Sequence, residues 1–415
     1  MSDFQGGQRH HSMVFAVQGK GYVCAGLNGS SYYNDHYQFD PDSNSWAQMA
    51  SFPGNAREFG VSFASDSSGF VGLGWDGGGT FSDFYRYNPI SDTWDSLTAY
   101  PGKGKRGAVG TSLNGKGYVG GGGGGSSGRN GLVENDFWEY DMLADSWTQK
   151  ASFPFSARTG AIAFAIDSMV YVGLGHNHSS SFKDLWAYNP TTNSWTQKTD
   201  LPGLPRMNAM VFVLNGKAIV GGGHRIGMGT AGSLGDYYEY DPASDSWKSI
   251  NSFSKGKRTR AKGFAVNGYG YLVCGTDSSG VNYQDTWKYS DSSSAVSCNA
   301  SFSSLVDSTN TVLFNAHAVG IGNKYNWDFG DGLSDTVSNP AHSYSTSGTY
   351  LVSLTLITPV GDTCTSTDSI LVNTCSANYS YLIGKGGEVS FFSHANASAF
   401  GTSYSWTFGD GSISS

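Results

Sequence analysis

The stretch Phe39-Asp-Pro-Asp-Ser-Asn-Ser-Trp46 leads from an aromatic residue through small polar residues to a tryptophan. The same block returns as YNPISDTW at residues 87–94, YDMLADSW at 140–147, YNPTTNSW at 188–195 and YDPASDSW at 240–247. Successive tryptophans are 48, 53, 48 and 52 residues apart, and a degraded copy, YSDSSSAV, begins at Tyr289. A period of about 50 residues, repeated this often, indicates an array of similar structural units.

The rest of each unit recurs in phase with this block. An arginine opens each copy, a glycine-rich aliphatic strand follows, and an Asp-x-aromatic-x-aromatic segment precedes the tryptophan. Because the apolar residues alternate and no stretch has a helical period, each copy predicts four short β-strands. We expect structural ion pairs between the repeated charges, which balance. The arginines are Arg9, Arg57, Arg106, Arg158, Arg206 and Arg260, and the aspartates are Asp35, Asp83, Asp136, Asp184, Asp236 and Asp285.

The composition agrees with many short strands joined by tight turns. The chain has 415 residues, of which 58 are glycine and 14% are aromatic. Helices tolerate so much glycine poorly, and disordered chains are poor in aromatic residues. The net charge of −8 lacks the basic excess of nucleic-acid-binding and membrane-surface proteins. Since no apolar stretch approaches the ~18 residues of a membrane span, we expect neither a nucleic-acid partner nor a transmembrane segment.

These repeats resemble those of the kelch family, in which each unit is one blade of a β-propeller. The resemblance covers residues 1–290 and implies an all-β, six-bladed kelch-type propeller. Residues 1–9 align with residues 49–57, and the degraded sixth copy lacks its tryptophan. We therefore expect the chain to begin inside a repeat, with the strand that completes the sixth blade, and any signal peptide, preceding Met1.

A second kind of repeat begins where serine and threonine replace glycine. The segment Cys298-Asn-Ala-Ser-Phe leads to Tyr325-Asn-Trp-Asp-Phe-Gly-Asp-Gly332, and Cys375-Ser-Ala-Asn-Tyr leads to Tyr404-Ser-Trp-Thr-Phe-Gly-Asp-Gly411. These motifs resemble the PKD domain, an immunoglobulin-like β-sandwich. We expect one PKD domain at residues 298–374 and the truncated start of a second at residues 375–415. Asp328 and Asp331 are expected to cap turns, with Ca²⁺ binding as the alternative, and no other cofactor is expected.

The five cysteines bear on the compartment. Cys24 and Cys274 lie one position apart in the register of their glycine strands, which places them on opposite faces and predicts free thiols. The immunoglobulin-like resemblance implies that Cys298 and Cys364 lie on neighbouring strands and form a disulfide. Cys375 repeats Cys298, so its partner would follow Ser415. Disulfide formation by these cysteines favours an extracellular or cell-surface protein.

The candidate ligand site is formed by loops that follow the glycine strands. These loops vary while the strands around them repeat, and in a propeller they converge at one mouth of the central channel. Trp75 and His176 are the first candidates to test, because exposed rings can stack on a sugar. His176, His178 and His224 are the nearest approach to a metal site, but they lack a carboxylate or Cys, so no metal is expected. The full set of candidates is Asn28, Trp75, Arg129, His176, His178, His224, Arg225 and Asp277.

Two classes of enzyme are known on this architecture. Galactose-oxidase-like copper enzymes need a cysteine on a mouth loop, which is missing from this sequence. Sialic-acid-mutarotase-like proteins use acid–base residues that face the channel, and neither Glu58 nor Glu134 has a sequence partner for that chemistry. We therefore expect a non-enzymatic, monomeric, secreted or surface-attached protein whose propeller binds a glycan or protein and whose PKD modules act as spacers. A carbohydrate-active propeller enzyme is the alternative.

Overall fold

The computed structural model describes residues 1–124, 132–252, 256–290, 300–306, 311–316, 323–358, 363–372, 379–383, 389–393, 406–407 and 413–414. The chain forms two compact units, the first spanning Met1–Ala295 and the second lying within residues 296–415. Both units consist of β-strands, and the helix in the described ranges is a 3₁₀ turn at Gly229–Gly232. Within those ranges no helix has the length and apolar character needed to cross a membrane.

The described strands of the first unit form six antiparallel sheets, numbered here in chain order, and a small hairpin. Sheet 1 contains β1 (Met13–Val17), β2 (Lys20–Asn28), β3 (Ser31–Asp40) and β4 (Ser45–Met49). Sheet 2 contains β5 (Val61–Ala64), β6 (Gly69–Gly72), β7 (Phe84–Asn88) and β8 (Thr93–Leu97). Sheet 3 contains β9 (Val109–Leu113), β10 (Lys116–Gly120), β13 (Phe137–Asp141) and β14 (Ser146–Gln149), and the hairpin is β11 (Gly123–Gly124) with β12 (Leu132–Val133).

The remaining sheets repeat this order. Sheet 4 contains β15 (Ile162–Ile166), β16 (Met169–Gly173), β17 (Leu185–Asn189) and β18 (Ser194–Lys198). Sheet 5 contains β19 (Met210–Leu214), β20 (Lys217–Gly221), β21 (Tyr237–Asp241) and β22 (Ser246–Ile250). Sheet 6 has three described strands, β23 (Lys262–Val266), β24 (Tyr269–Val273) and β25 (Thr286–Tyr289). The sequence predicts that the sixth copy lacks its tryptophan strand. Residues 291–299, where that strand would lie, are outside the described residues.

The sheets close into a ring around a central channel. The first strands of successive sheets contact one another, and β23 of sheet 6 contacts β1 of sheet 1. Aromatic side chains fill the space between sheets, and glycine provides the room for them. A Cβ on Gly69 would overlap the ring of Phe15 from the preceding sheet, so this close approach requires glycine.

A buried cationic side chain precedes the first strand of every sheet. The Arg57 guanidinium is fully buried, donates to Asp83 (2.5 and 2.8 Å) and to the Leu73 carbonyl (3.0 Å), and lies over the rings of Phe52 and Phe81. We call this place the cation position. Its members are Arg9, Arg57, Lys105, Arg158, Arg206 and Arg258, paired with Asp35, Asp83, Asp136, Asp184, Asp236 and Asp285.

Two of the predicted ion pairs are wrong. Arg106 does not pair with Asp136, because Lys105, one residue earlier, is fully buried and lies 2.6 Å from that carboxylate. Arg260 does not pair with Asp285, because Arg258 is the residue that reaches it. The predicted position of the paired cation was therefore one residue too late in the third repeat and two residues too late in the sixth.

The two residues after each cation position form the channel mouth. We call them the first mouth position (His10, Glu58, Arg106, Thr159, Met207 and Thr259) and the second mouth position (His11, Phe59, Gly107, Gly160, Asn208 and Arg260). At the second mouth position each backbone N–H donates to the carbonyl of the preceding copy, and His11 donates to Arg260, which closes a cycle of six hydrogen bonds. All its members have positive φ, between 53° and 62°.

The second unit is a sandwich of two sheets. One contains β26 (Phe302–Val306), β27 (Thr311–Ala316) and β30 (Ala341–Ser343), and the other contains β28 (Lys324–Asp328), β29 (Ser334–Asp335), β31 (Gly348–Ile357) and β32 (Thr363–Val372). Trp327 is fully buried between them, and its Nε1 donates to the Val337 carbonyl (3.0 Å). Asp328 and Asp331 accept backbone N–H groups of their own turn, which is the predicted capping role.

The cysteines and the last residues complete the description. Cys24 and Cys274 are free and buried, as predicted. Cys364 lies in β32, but Cys298 lies outside the described residues, so the disulfide between them stays a prediction. Two hairpins are described after residue 375, β33 (Tyr379–Ile383) with β34 (Val389–Ser393) and β35 (Trp406–Thr407) with β36 (Ile413–Ser414). The second PKD domain also stays a prediction.

Candidate ligand site at the channel mouth

A cavity of about 580 Å³ opens at the mouth of the channel. Its size falls within the range of small-molecule sites. Short β-bridges fix its wall, because first mouth positions pair with the loop residues that follow the glycine strands, as in Glu58 with Trp75 and Thr159 with His176. Side chains that line it include His10, His11, Tyr32, Glu58, Phe59, Trp75, Thr80, Arg106, Thr159, His176, His178, Met207, Asn208, His224 and Arg260.

One side of the cavity is aromatic. The rings of Trp75 and Tyr32 meet edge to face, with centroids 6.0 Å apart, and the Arg106 guanidinium lies 4.4 Å from the centre of the Trp75 ring. His11 and Phe59 stack in parallel at 4.0 Å. Such faces can pack against the apolar side of a sugar while neighbouring polar atoms bind its hydroxyl groups.

A buried carboxylate adjoins this surface. Glu58 is 6% exposed, and its Oε2 lies 2.8 Å from His11 Nδ1 and 3.5 Å from His10 Nδ1. This contact joins the entrances to sheets 1 and 2. The expectation that Glu58 has no acid–base partner is therefore wrong. Glu134, by contrast, lies 2.7 Å from Lys105 Nζ and belongs to the cation position of sheet 3.

Three imidazoles of the cavity, those of His10, His11 and His224, are held neutral. Burial, with the proximity of His11 and the charge of Arg260, lowers the pKa of His10 to about 3. Burial and the cations Arg260, Lys262 and Arg106 lower the pKa of His11 far below its usual range. Burial also lowers the pKa of His224 to about 4. Because a neutral imidazole carries one lone pair and one N–H, these rings can both accept and donate hydrogen bonds.

The tautomer of His176 follows from its neighbour. Its Nδ1 lies 2.7 Å from the Asn177 carbonyl, and a carbonyl oxygen only accepts, so Nδ1 carries the proton. Nε2 of neutral His176 is then an acceptor. Burial lowers the pKa of this imidazole as well.

A metal ion is poorly matched to the charges here. Within the described ranges, His10, His11 and Glu58 are the group whose ligand atoms lie close enough, within 4.8 Å of one another, to hold a metal. Arg260, Lys262 and Arg106 all act electrostatically on His11, and they would repel a cation bound there. His176, His178 and His224 line the same cavity without a carboxylate among them.

Family models match both units. A model described as the KLHDC2/KLHL20/DRC7 Kelch-repeats domain matches residues 111–298, and the Kelch motif model matches residues 9–53. A PKD domain model matches residues 296–372. The chain is a kelch-repeat protein with a PKD domain. Both resemblances read from the sequence are thereby confirmed.

Two individual proteins are similar to this kelch-repeat chain. The solved structure of YjhT aligns with a TM-score of 0.61 and 16% identity, over 71% of this chain and 97% of that one. At this identity the likeness concerns the fold. A microbial collagenase of Vibrio alginolyticus is 38% identical over 52 residues, which are 12% of this chain and 6% of the collagenase. The chain therefore spans only a small part of that relative.

The kelch repeats bring half of the candidate residues together. Trp75, His176, His178 and His224 line the cavity. Asn28, Arg225 and Asp277 lie outside its lining. Asn28 accepts a hydrogen bond from Asn282 (2.9 Å), and Asp277 caps its own loop by accepting from Ser279, Val281 and Tyr283. Arg225 is exposed, and Arg129 lies outside the described residues.

Sequence reasoning missed the mouth positions. His10, His11 and Phe59 follow the repeated cation directly, where the sequence was read as part of the structural repeat, and Glu58 was considered only as a carboxylate without an acid–base partner. Arg106 and Arg260 were assigned to the ion pairs. The signal that could have found them is the variation of these two positions among the kelch copies, beside a cation that is always present.

Proposed function

We propose that the propeller is a glycan-binding domain whose ligand places a sugar in the mouth cavity. The protein would act outside the cell or at its surface, as a monomer, with its PKD modules as spacers. The observation that carries this proposal is the lining of the cavity, where the rings of Trp75 and Tyr32 lie beside neutral imidazoles. Aromatic faces with a few convergent polar groups are typical of small-molecule sites.

An enzymatic function is the second candidate, and Glu58 favours it. Its carboxylate is buried beside His11 in the same cavity, and a carboxylate next to an imidazole is a common arrangement for moving protons between substrate atoms. The alternative is therefore a carbohydrate-active propeller in which Glu58 and His11 act on a bound sugar.

A glycan array probed with the full chain tests the binding proposal. We expect Trp75→Ala and His176→Ala to abolish binding and to change the free energy of unfolding by no more than about 1 kcal/mol, about the average effect of a single substitution. Arg225→Ala is the matched control, because Arg225 is exposed and lies outside the cavity. Unchanged binding by both folded cavity variants would contradict the proposal.

The same variants separate binding from catalysis. A sugar that binds is incubated with the wild-type protein and with Glu58→Gln, and its anomers and products are followed by NMR. If the protein only binds, the sugar is recovered unchanged and its anomers interconvert at the uncatalysed rate. A faster change that Glu58→Gln removes, while binding persists, would establish the enzymatic alternative.

A further inference from the structure

The mouth cavity is lined by two arginines that do not belong to the repeated ion pairs. Arg106 and Arg260 both line the cavity, although Lys105 and Arg258 already occupy the cation positions of sheets 3 and 6. Uncharged residues occupy most of the other mouth positions. Neither arginine is therefore needed for the repeated ion pair, and their presence calls for another explanation.

Arg260 is placed at a cost in backbone strain. Its φ is 60°, and the equivalent residues in sheets 3 and 4 are Gly107 and Gly160 at φ 62°. Residues with a side chain are disfavoured in this conformation, which glycine adopts without penalty. The ring of backbone hydrogen bonds accepts glycine at this position, so the fold itself does not demand arginine. Strain of this kind concentrates at binding sites.

The two guanidinium groups influence opposite parts of the wall. The charge of Arg260 acts on His10, His11 and His224, and that of Arg106 acts on His11 and His176. In each case the effect is to lower the pKa of the imidazole, as a positive potential does. Because these histidines are neutral, they do not add to this positive charge, and Glu58 is the acidic residue among the described residues of the lining.

Lys262 adds a third cation in the next layer of the channel. It begins β23 and lines a smaller cavity of about 170 Å³ together with Val61, Ile162 and Met210. The equivalent residues in the other sheets are all apolar. Within the described part of the chain, Lys262 forms no ion pair, and burial lowers the pKa of its ammonium group to about 8. The apolar equivalents are Met13, Val61, Val109, Ile162 and Met210.

Among the described residues that line the mouth cavity, two guanidinium groups against one carboxylate give a net positive charge, and Lys262 adds a cation in the next layer. We propose that the ligand is an acidic sugar, whose carboxylate or sulfate group is bound by the guanidinium groups of Arg106 and Arg260. Guanidinium groups suit this role because their planar donors match the oxygen pairs of such anions. The proposal rests on the binding site proposed above and specifies the chemistry of its ligand.

Matched sugar pairs test the preference. Calorimetric titration of the full chain compares methyl glucuronide with methyl glucoside, and galactose 6-sulfate with galactose, so that each pair differs in its acidic group. We expect at least one acidic member to bind 30-fold or more tightly than its neutral partner, and which pair shows this distinguishes carboxylate from sulfate. The preference should decrease as salt is added.

Substitutions assign the preference to the arginines. Arg260→Gln and Arg106→Gln should each reduce it at least 10-fold, whereas Arg260→Lys, which keeps the charge, should retain most of it. Arg225→Gln, outside the cavity, should leave it unchanged. Lys262→Met introduces the residue found in sheets 1 and 5, so the variant is expected to fold and to lose a few-fold in affinity for the acidic sugar.

The outcomes separate this proposal from the proposed function. Equal affinity for acidic and neutral sugars, with binding still lost in Trp75→Ala, would overturn the acidic ligand and leave the sugar site standing. An acidic preference that survives in the folded Arg106→Gln, Arg260→Gln double variant would also overturn it. Absence of binding to every sugar, in the array and in these titrations, would overturn both.

Discussion

The cation position and the two mouth positions that follow it are neighbours in sequence but differ in how they vary. At the cation position, a buried Arg or Lys contacts a carboxylate in all six sheets. One and two residues later, the copies carry residues as different as His10, Glu58 and Arg106. The comparison indicates that the first position maintains the fold and that the next two determine what the cavity binds.

The partners of the two regions explain this difference. The buried cation of sheet 4, Arg158, is surrounded by an aspartate, a backbone carbonyl and two aromatic rings, and all of these belong to the protein. Removal of the cation leaves buried polar atoms unsatisfied. Most of the mouth side chains instead line a cavity, while the hydrogen bonds that hold the ring together come from the backbone. The side chains that line the cavity can therefore change without loss of the fold.

The largest effect is expected at the cation position. Arg57→Met removes the hydrogen bonds to Asp83 and to the Leu73 carbonyl. Loss of one partner of a buried pair costs about 3–5 kcal/mol, and we expect about 3 kcal/mol because 32% of the Asp83 side chain is exposed. Denaturant unfolding, followed by tryptophan fluorescence, measures this loss.

The control for Arg57→Met lies in the same sheet. Arg86 pairs with Asp95 at 2.8 Å, but the two side chains are 43% and 53% exposed. Exposed pairs contribute little, so Arg86→Met should change the free energy of unfolding by less than about 1 kcal/mol. Equal losses in the two variants would remove the distinction between the repeated cation and ordinary surface charge.

Most of the fold could be predicted from the sequence because it depends on local, repeated chemistry. The tryptophan blocks, the glycine strands and the Asp-x-aromatic segments each specify a strand or a turn within one copy. Errors arose where two basic residues lay close together, as in Lys105 and Arg106, because pattern alone does not show which of them is buried. Packing resolves this, since Lys105 reaches Asp136 and Glu134 together.

The site was predicted only in part because it is assembled across copies. Trp75 and His176 were found from the variable loops that carry them. The pairing of Glu58 was missed because its partner, His11, is 47 residues earlier in the chain. Packing of sheet 2 against sheet 1 brings the two together, and no local pattern in either copy records that contact.

A smaller effect is expected where a histidine occupies a structural position. His36 is fully buried and lies against Tyr87 and Trp94, at the position held by Phe84 and Phe137 in sheets 2 and 3. Burial lowers its pKa to about 3, against about 6.5 in an unfolded chain. Between these values the unfolded state binds the proton and the folded state does not, so stability falls as the pH falls from about 6.5 towards 3.

His36→Phe should remove this acid sensitivity. At pH 5, about 1.5 pH units below the unfolded pKa, the histidine costs about 2 kcal/mol. We therefore expect the variant to lose about 2 kcal/mol less than the wild type between pH 7 and pH 5, as measured by denaturant unfolding at both values. The difference between pH values cancels any change in packing. The same acid loss in both proteins would contradict the assigned cause.

The smallest effect is expected at the second mouth position of sheet 5. Asn208 has a φ of 53°, and its backbone N–H donates to the Gly160 carbonyl at 2.8 Å. Asn208→Gly keeps this backbone bond and relieves the strained conformation, but it also increases the freedom of the unfolded chain. These contributions oppose each other, so the free energy of unfolding should stay within about 0.5 kcal/mol of the wild type, the usual range for such surface changes. Asn208→Val, which places a β-branched residue at the same positive φ, should destabilise by about 1–3 kcal/mol. If glycine destabilises as much as valine, the Asn208 side chain supports the ring, and the mouth positions are not as free to vary as the comparison implies.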